Sequence, residues 1–152
     1  MARSETGPDR DSVGAWAKRC YFAGRAVMDA ALRPYDLGST QWYVLHRLAT
    51  EGPSRQRDLV RILGIERASM SGIVATLLRK GFVAQVPDET DQRQKSLRLT
   101  AAGAKLWSEL PDLTFIRRVA FDGIEEEEIA TAVEVLRRAT GRLEKFIGKG
   151  VG

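Results

Sequence analysis

Apolar positions recur along this chain in two rhythms, and their order lays out most of the fold. Between residues 11 and 34, Trp16, Cys20, Ala23, Val27 and Ala31 return every third or fourth place, the spacing of one stripe on a helix. Pro34 is expected to close that helix, because the residue before a proline is steered away from helical angles. Gly38 or Ser39 then caps a second helix reaching about Leu48. Its apolar face reads as Trp42, Leu45, Leu48 and Ala49. Glu51-Gly52-Pro53 breaks the pattern. Ser54 is the expected N-cap of a short third helix with Leu59, Val60, Ile62 and Leu63 turned inward, and Gly64 supplies its left-handed exit.

The next helix runs from about Arg67 to Lys80 and stops at Gly81. Met70, Ile73, Val74, Leu77 and Leu78 form its apolar side. The opposite side carries Ser69, Gly72, Thr76 and Arg79, flanked by Arg67, Ala68, Ser71 and Ala75. Few surface helices show an outer face so small and hydroxylated. Such a face fits a DNA major groove, where bulky side chains would hold the helix away from the base edges.

After Gly81 the rhythm changes from helical spacing to alternation. Phe82–Val86 and Ser96–Leu99 read as paired strands, with Leu97 and Leu99 alternating against Ser96 and Arg98. The segment between them, Pro87 to Lys95, is polar and long for a hairpin loop. It has nothing to bury, so it is expected to project. A helix, a tight turn, a second helix and a projecting hairpin make a winged helix-turn-helix, a shape suited to duplex DNA. Thr100 is expected to cap a fifth helix, Ala101 to about Leu110, which Pro111 ends or kinks. A segment from Leu113 to Phe121 follows, interrupted by Asp122-Gly123. Glu125–Glu128 open the last helix, where carboxylates suit the positive end of the macrodipole. Ile129, Val133, Leu136, Thr140, Leu143 and Ile147 make its stripe. The fold class is therefore mainly α with a small β wing.

Composition narrows the functions. The chain has 152 residues, one cysteine and one histidine. That excludes a disulfide framework and a multi-cysteine zinc site, and neither a metal nor another cofactor is expected. No apolar run approaches the ~18 residues of a membrane span, and a cytoplasmic protein is the default expectation. Residues 53–100 hold nine basic and five acidic side chains, whereas residues 101–152 hold eight basic and nine acidic. The basic excess thus sits in the helix-turn-helix and wing, as on a nucleic-acid face.

The chain resembles the MarR (multiple antibiotic resistance regulator) family of winged-helix transcription factors. The resemblance rests on Gln41-Trp42-x-Val44-Leu45, Arg57-Asp58-Leu59-Val60-x-x-Leu63-Gly64-Ile65, and Ser69-Met70-Ser71-Gly72-Ile73-Val74 continuing to Lys80-Gly81-Phe82-Val83. It continues in Asp91-x-Arg93 and Leu97-x-Leu99-Thr100-x-x-Gly103. It implies one MarR-like domain, with residues 11–37 and 104–148 as dimerisation helices around a DNA-binding region at 39–103. A homodimer would present two recognition helices to half-sites one helical turn apart, on a pseudo-palindrome of roughly 16–20 base pairs.

The resemblance also implies roles. Arg67, Ala68, Ser69, Ser71, Gly72 and Thr76 fall where the recognition helix meets the groove, and Arg93 where a wing arginine enters the minor groove. Asp91 falls where an acid braces that arginine or the wing. Gln56, Arg57, Arg79, Lys95 and Arg98 are the phosphate-contact candidates, which position without specifying sequence. Gly72 departs from the family, which often has a long polar residue there, so base reading is expected to lean on hydroxyls and the wing. Many relatives bind small aromatic or lipophilic effectors, and Tyr43, Arg47, Trp107 and Phe115 are the candidates to line such a cleft. Cys20 is closer to the Gln-Trp motif than the reactive cysteine of peroxide-sensing relatives. On its apolar stripe it reads as a buried, inert thiol.

The leading function is a dimeric, sequence-specific DNA-binding regulator, expected to be a repressor released by a small molecule. The alternatives are a winged helix that docks proteins without binding DNA, and a regulator that senses redox state through Cys20. A protein-docking face would expose large apolar side chains on the fourth helix. No nucleophile–base pair, metal spacing or phosphate loop points to an enzyme.

Overall fold

The computed structural model describes residues 12–150, which fall into two compact units, one ending at Leu113 and one beginning at Thr114. In the first unit, helix α1 (Val13–Leu32) starts where the Ser12 hydroxyl accepts the Ala15 N–H at 3.1 Å. Pro34 does not end α1 by expelling its neighbour, since Arg33 keeps helical angles. The chain instead tightens into a 3₁₀ turn, Arg33–Tyr35, near whose start the missing proline N–H costs nothing. Asp36, at φ 55°, turns the chain onward.

Helix α2 (Ser39–Glu51) is capped from α1. Gly38 holds the N-cap position without a side chain, so Asp29 Oδ1 accepts the Ser39 N–H at 2.7 Å and Arg25 Nε donates to Ser39 Oγ at 3.0 Å. These bonds satisfy a helix start that is buried at Ser39. The buried face of α2 is Val44, Leu45 and Leu48. It is rotated from the expected face, which leaves Trp42 half-buried and Ala49 exposed.

Ser54 is not a helix cap. Ser54–Arg55 form a short strand, β1, and helix α3 (Gln56–Leu63) begins directly after it with no side-chain cap. The backbone of β1 pairs with a later strand, a long-range pairing that local turn chemistry does not reveal. Only Leu59 of α3 is fully buried, Val60 and Leu63 are half-buried, and Ile62 is exposed rather than inward. Gly64, at φ 64°, donates to the Val60 carbonyl and turns the chain into helix α4 (Arg67–Arg79). Met70, Val74 and Leu77 are buried along α4, while Ile73 and Leu78 flank them half-buried. Helix α4 ends in two bonds, Phe82 N–H to Leu77 O and Gly81 N–H to Leu78 O. That closure requires the left-handed φ of 79° that Gly81 adopts.

The sheet has three strands in the order β1-β3-β2, with β2 at Val83–Pro87 and β3 at Lys95–Leu99. The wing is therefore built on a third strand that the expected two-stranded hairpin lacked. Pro87 pairs with Lys95, so both ends of the expected loop belong to strands. Proline is tolerated there because β2 is an edge strand. Thr100 then caps helix α5 (Ala101–Glu109), its hydroxyl accepting the Gly103 N–H at 3.0 Å and donating to Gly81 O at 2.6 Å. Gly103 packs against the chain at Phe82, where any Cβ would overlap the Phe82 carbonyl oxygen. The Lys-Gly-Phe-Val and Leu-Thr-x-x-Gly motifs are thus two halves of one joint between the end of α4 and the start of α5.

The second unit holds helix α6 (Phe115–Phe121) and helix α7 (Glu126–Gly148). They border an open groove lined by Val119, Phe121, Ile124, Ile129 and Val133. No residue of α7 is buried, and Leu143, Phe146 and Ile147 are each at least 60% exposed. In α1 likewise, Trp16, Tyr21, Phe22 and Val27 are exposed, and the buried residues are Met28 and Leu32. No helix among the described residues is long and apolar enough to cross a membrane.

Candidate nucleic-acid interface

Burial of Met70, Val74 and Leu77 fixes which side of α4 faces out. Arg67, Ala68, Ser69, Ser71, Gly72, Ala75 and Arg79 are exposed there, and Thr76 is half-buried. Around Gly72 the outer face is open. The hydroxyls differ in what they offer. Thr76 Oγ1 donates its proton to Gly72 O at 3.0 Å, which leaves it as an acceptor. Ser71 Oγ accepts from Gln56 Nε2 at 3.2 Å, which leaves its own O–H to donate outward. Gln56, a phosphate-contact candidate, therefore ties the start of α3 to the outer face of α4. Arg57, Arg79, Lys95 and Arg98 are exposed, and Arg98 Nη1 also reaches the Leu99 carbonyl at 3.4 Å.

At the wing tip the Arg93 side chain is 96% exposed. Asp91 holds the turn beneath it. Asp91 Oδ1 accepts the Arg93 N–H at 3.1 Å and lies 3.9 Å from Arg93 Nε, while Asp91 Oδ2 accepts from Gln94 Nε2 at 3.4 Å. The Gln94 N–H closes back on Asp91 O at 3.0 Å. The bonds at Asp91 fix the backbone of the tip and leave the guanidinium projecting.

Two residues of this surface escaped the sequence reading, Arg55 and Asp88. Arg55 Nη2 donates to Asp88 Oδ2 at 2.6 Å and to Thr90 Oγ1 at 2.8 Å. The same Oδ2 accepts from Thr90 N, Thr90 Oγ1 and Asp91 N, and Oδ1 accepts from Ser96 Oγ at 2.8 Å. The Arg55 hydrogen bond first, then those from Thr90 and Ser96, hold the Asp88 carboxyl well below the usual carboxylate range. Asp88 has a local signal, since an aspartate accepting from the N–H two residues on makes an Asx-turn. Arg55, 33 residues away, has none.

The effector candidates divide. Trp107 lies in an aromatic cluster with two rings not expected there, 5.4 Å from Trp42 and 5.5 Å from His46 between ring centroids. His46 stacks on Trp42 at 4.8 Å, and Tyr43 meets Trp42 edge-on. Arg47 has a buried Nε without a hydrogen-bond partner, and its Nη1 lies 3.9 Å from Glu51. Phe115 is half-buried on α6, in the second unit. Cys20 is exposed in the single chain, contrary to the buried thiol expected, because the α1 stripe that carries it is itself uncovered. No group of metal-binding side chains occurs among the described residues.

The MarR family model matches residues 35–94, the span from the 3₁₀ turn to the wing tip. Three solved structures share the fold over most of their length. PcaV, a transcriptional regulator from Streptomyces coelicolor in complex with its natural ligand, is 25% identical, with a TM-score of 0.74 over 90% of this chain and 97% of that one. BpsR from Bordetella bronchiseptica, whose DNA binding is regulated by 6-hydroxynicotinic acid, is 26% identical, with a TM-score of 0.73 over 88% and 98%. A MarR variant from E. coli bound to operator DNA is 19% identical, with a TM-score of 0.74 over 84% and 92%, a likeness of fold. The matched region, from the turn after α1 through the helix-turn-helix to the wing, and the shared fold make this chain similar to the MarR-family winged-helix transcriptional regulators.

Proposed function

We propose that two copies of this chain form a sequence-specific repressor that grips a pseudo-palindromic operator and is released by a small aromatic or lipophilic acid. The observation that carries the reading is the pairing of a small, hydroxylated outer face on α4 with a wing arginine exposed at 96%. An α-helix enters the major groove only where its outer side chains are short enough to let it approach. A projecting arginine is drawn into a narrow minor groove by the potential there. On this assignment Ser69, Ser71 and Thr76 read base edges, Arg67 and Arg93 reach into the grooves, and Arg57, Arg79, Lys95 and Arg98 meet phosphates.

Exposed apolar side chains on α1 and α7 support the dimer, since a monomer gains nothing from leaving them in water. Support for an effector comes from the Trp42–His46–Trp107 cluster and from the unpartnered Arg47 Nε, a donor that a ligand carboxylate would satisfy. PcaV and BpsR, with their small-molecule ligands, favour the same class.

The test is selection of duplexes from a random-sequence pool, followed by mobility shift with and without aromatic carboxylates. A two-fold symmetric consensus that a carboxylate releases is the expected result. Binding that follows no sequence preference would overturn specificity. A shift unaffected by every ligand in the series would overturn effector release.

A further inference from the structure

We propose that Arg55 and Asp88 form a latch that sets the wing arginine at a fixed reach from the recognition helix. Arg55 is then a positioning residue for DNA binding, although an arginine beside a helix-turn-helix is by default read as a phosphate contact. The inference rests on the DNA-binding function proposed above.

The argument begins with what each group already holds. Arg55 lies on β1, opposite Ser96 of β3, and Ser96 in turn lies opposite Val86 of β2. Asp88 follows the last residue of β2. The latch therefore spans all three strands at the wing end of the sheet. Its side chains are largely withdrawn from solvent, at 21% exposed for Arg55 and 13% for Asp88. A guanidinium committed to Asp88 and Thr90 is poorly placed to neutralise a phosphate. A carboxylate with five hydrogen bonds is no accident of a solvated loop. It pins residues 88–91, the stem from which Asp91 then orients the tip.

The other end of the latch leads to the recognition helix. Arg55 is followed directly by Gln56, whose amide holds Ser71 on α4. One run of bonds thus reaches from the wing stem, through Arg55 and Gln56, to the outer face of α4. The α4 face and Arg93 must meet adjacent grooves at once. Without the latch, the seven residues between Pro87 and Lys95 would carry Arg93 through many positions, and ordering them would oppose binding.

The sign of one substitution separates the latch from plain electrostatics. Asp88→Asn removes a negative charge from a surface that faces phosphates. By charge alone it tightens binding. By loss of the latch it weakens binding. Wild type, Asp88→Asn, Arg55→Gln, Arg93→Ala and the Asp88→Asn/Arg93→Ala pair are compared by fluorescence anisotropy on a duplex selected by the wild-type protein. Each latch variant is expected to bind about fivefold to tenfold more weakly, and the Asp88→Asn salt slope to fall by ~1, as if Arg93 had left the DNA. The double variant is expected within about twofold of Arg93→Ala, because an arginine already removed cannot be mispositioned. A merely structural loss would instead reduce the active fraction of both proteins alike and multiply.

Asp88→Asn binding as tightly as wild type or tighter, while Arg93→Ala weakens, would overturn the latch and leave DNA binding standing. Full additivity, or Arg55→Gln acting with no Asp88 counterpart, would return Arg55 to a phosphate contact. If the wild type selects no duplex, the proposed function falls, and this inference with it.

Discussion

At the scale of single residues, two glycines show how much the surroundings decide. Gly103 touches the Phe82 carbonyl, and a Cβ there has backbone in its way. Gly72 sits in open space on the outer face of α4. Gly103→Ala is therefore expected to destabilise the protein by about 1–3 kcal/mol, the usual range for forced overpacking. Gly72→Ala is expected to stabilise it by up to ~1 kcal/mol through helix propensity. Urea melts of the two variants check both signs, and a Gly103→Ala protein as stable as wild type would contradict the joint between α4 and α5. Asp88 gives the residue-scale pH dependence. Its carboxyl is held low in the folded state, with Arg55 the main cause. The unfolded chain therefore takes up the proton more readily as pH falls. The stability Asp88 contributes is complete above the ordinary carboxylate range near ~4 and is lost below it. The deficit of Asp88→Asn relative to wild type should stay constant from neutral pH to about 5 and shrink toward pH 3, read from denaturant midpoints at each pH. A deficit that grew in acid would sink this account.

At the scale of elements, the proposed function assigns the DNA contact jointly to the wing and α4. Arg93→Ala removes the one basic side chain among residues 88–94, so affinity for the selected duplex should fall about tenfold and the salt slope by ~1. A variant that binds like wild type at moderate salt would place the wing off the DNA. These elements were legible in the chain to unequal degrees. Helices α3 and α4, the turn at Gly64 and the stop at Gly81 follow from apolar spacing and from glycine at left-handed positions, both local properties. The third strand did not follow, because Ser54–Arg55 are ordered by β3 some forty residues later, and Ser54 before an apolar run looks the same as a helix cap. The rotation of the α2 face, with Val44 inside and Ala49 outside, is set by which neighbours pack on it. The tip arginine and its bracing aspartate could be read from the family motif. The Arg55–Asp88 pair could not, since nothing in either segment marks the other as its partner.

At the scale of the molecule, the apolar side chains left outside are the strongest demand the chain makes. Leu143 and Phe146 on α7 are 64% and 60% exposed, and on α1 Trp16 and Phe22 are 54% and 51% exposed. Large apolar side chains gathered on a helix surface mark an interaction site, which the proposed dimer would cover. Because they support no core within the chain, charging them separates assembly from folding. Leu143→Glu/Phe146→Glu should leave the helical circular dichroism in place and halve the mass seen by light scattering. Operator affinity should fall far more than for any single contact variant. Two half-sites bound through a joined dimer gain from effective concentration, a gain typically worth 10²–10⁴ in affinity that separate chains forgo. Loss of helicity along with the mass change would instead make the dimer obligatory for folding. A wild-type chain that runs as a monomer at micromolar concentration and still binds a two-fold symmetric duplex at full strength would overturn the paired reader, and α1 and α7 would then need a different partner.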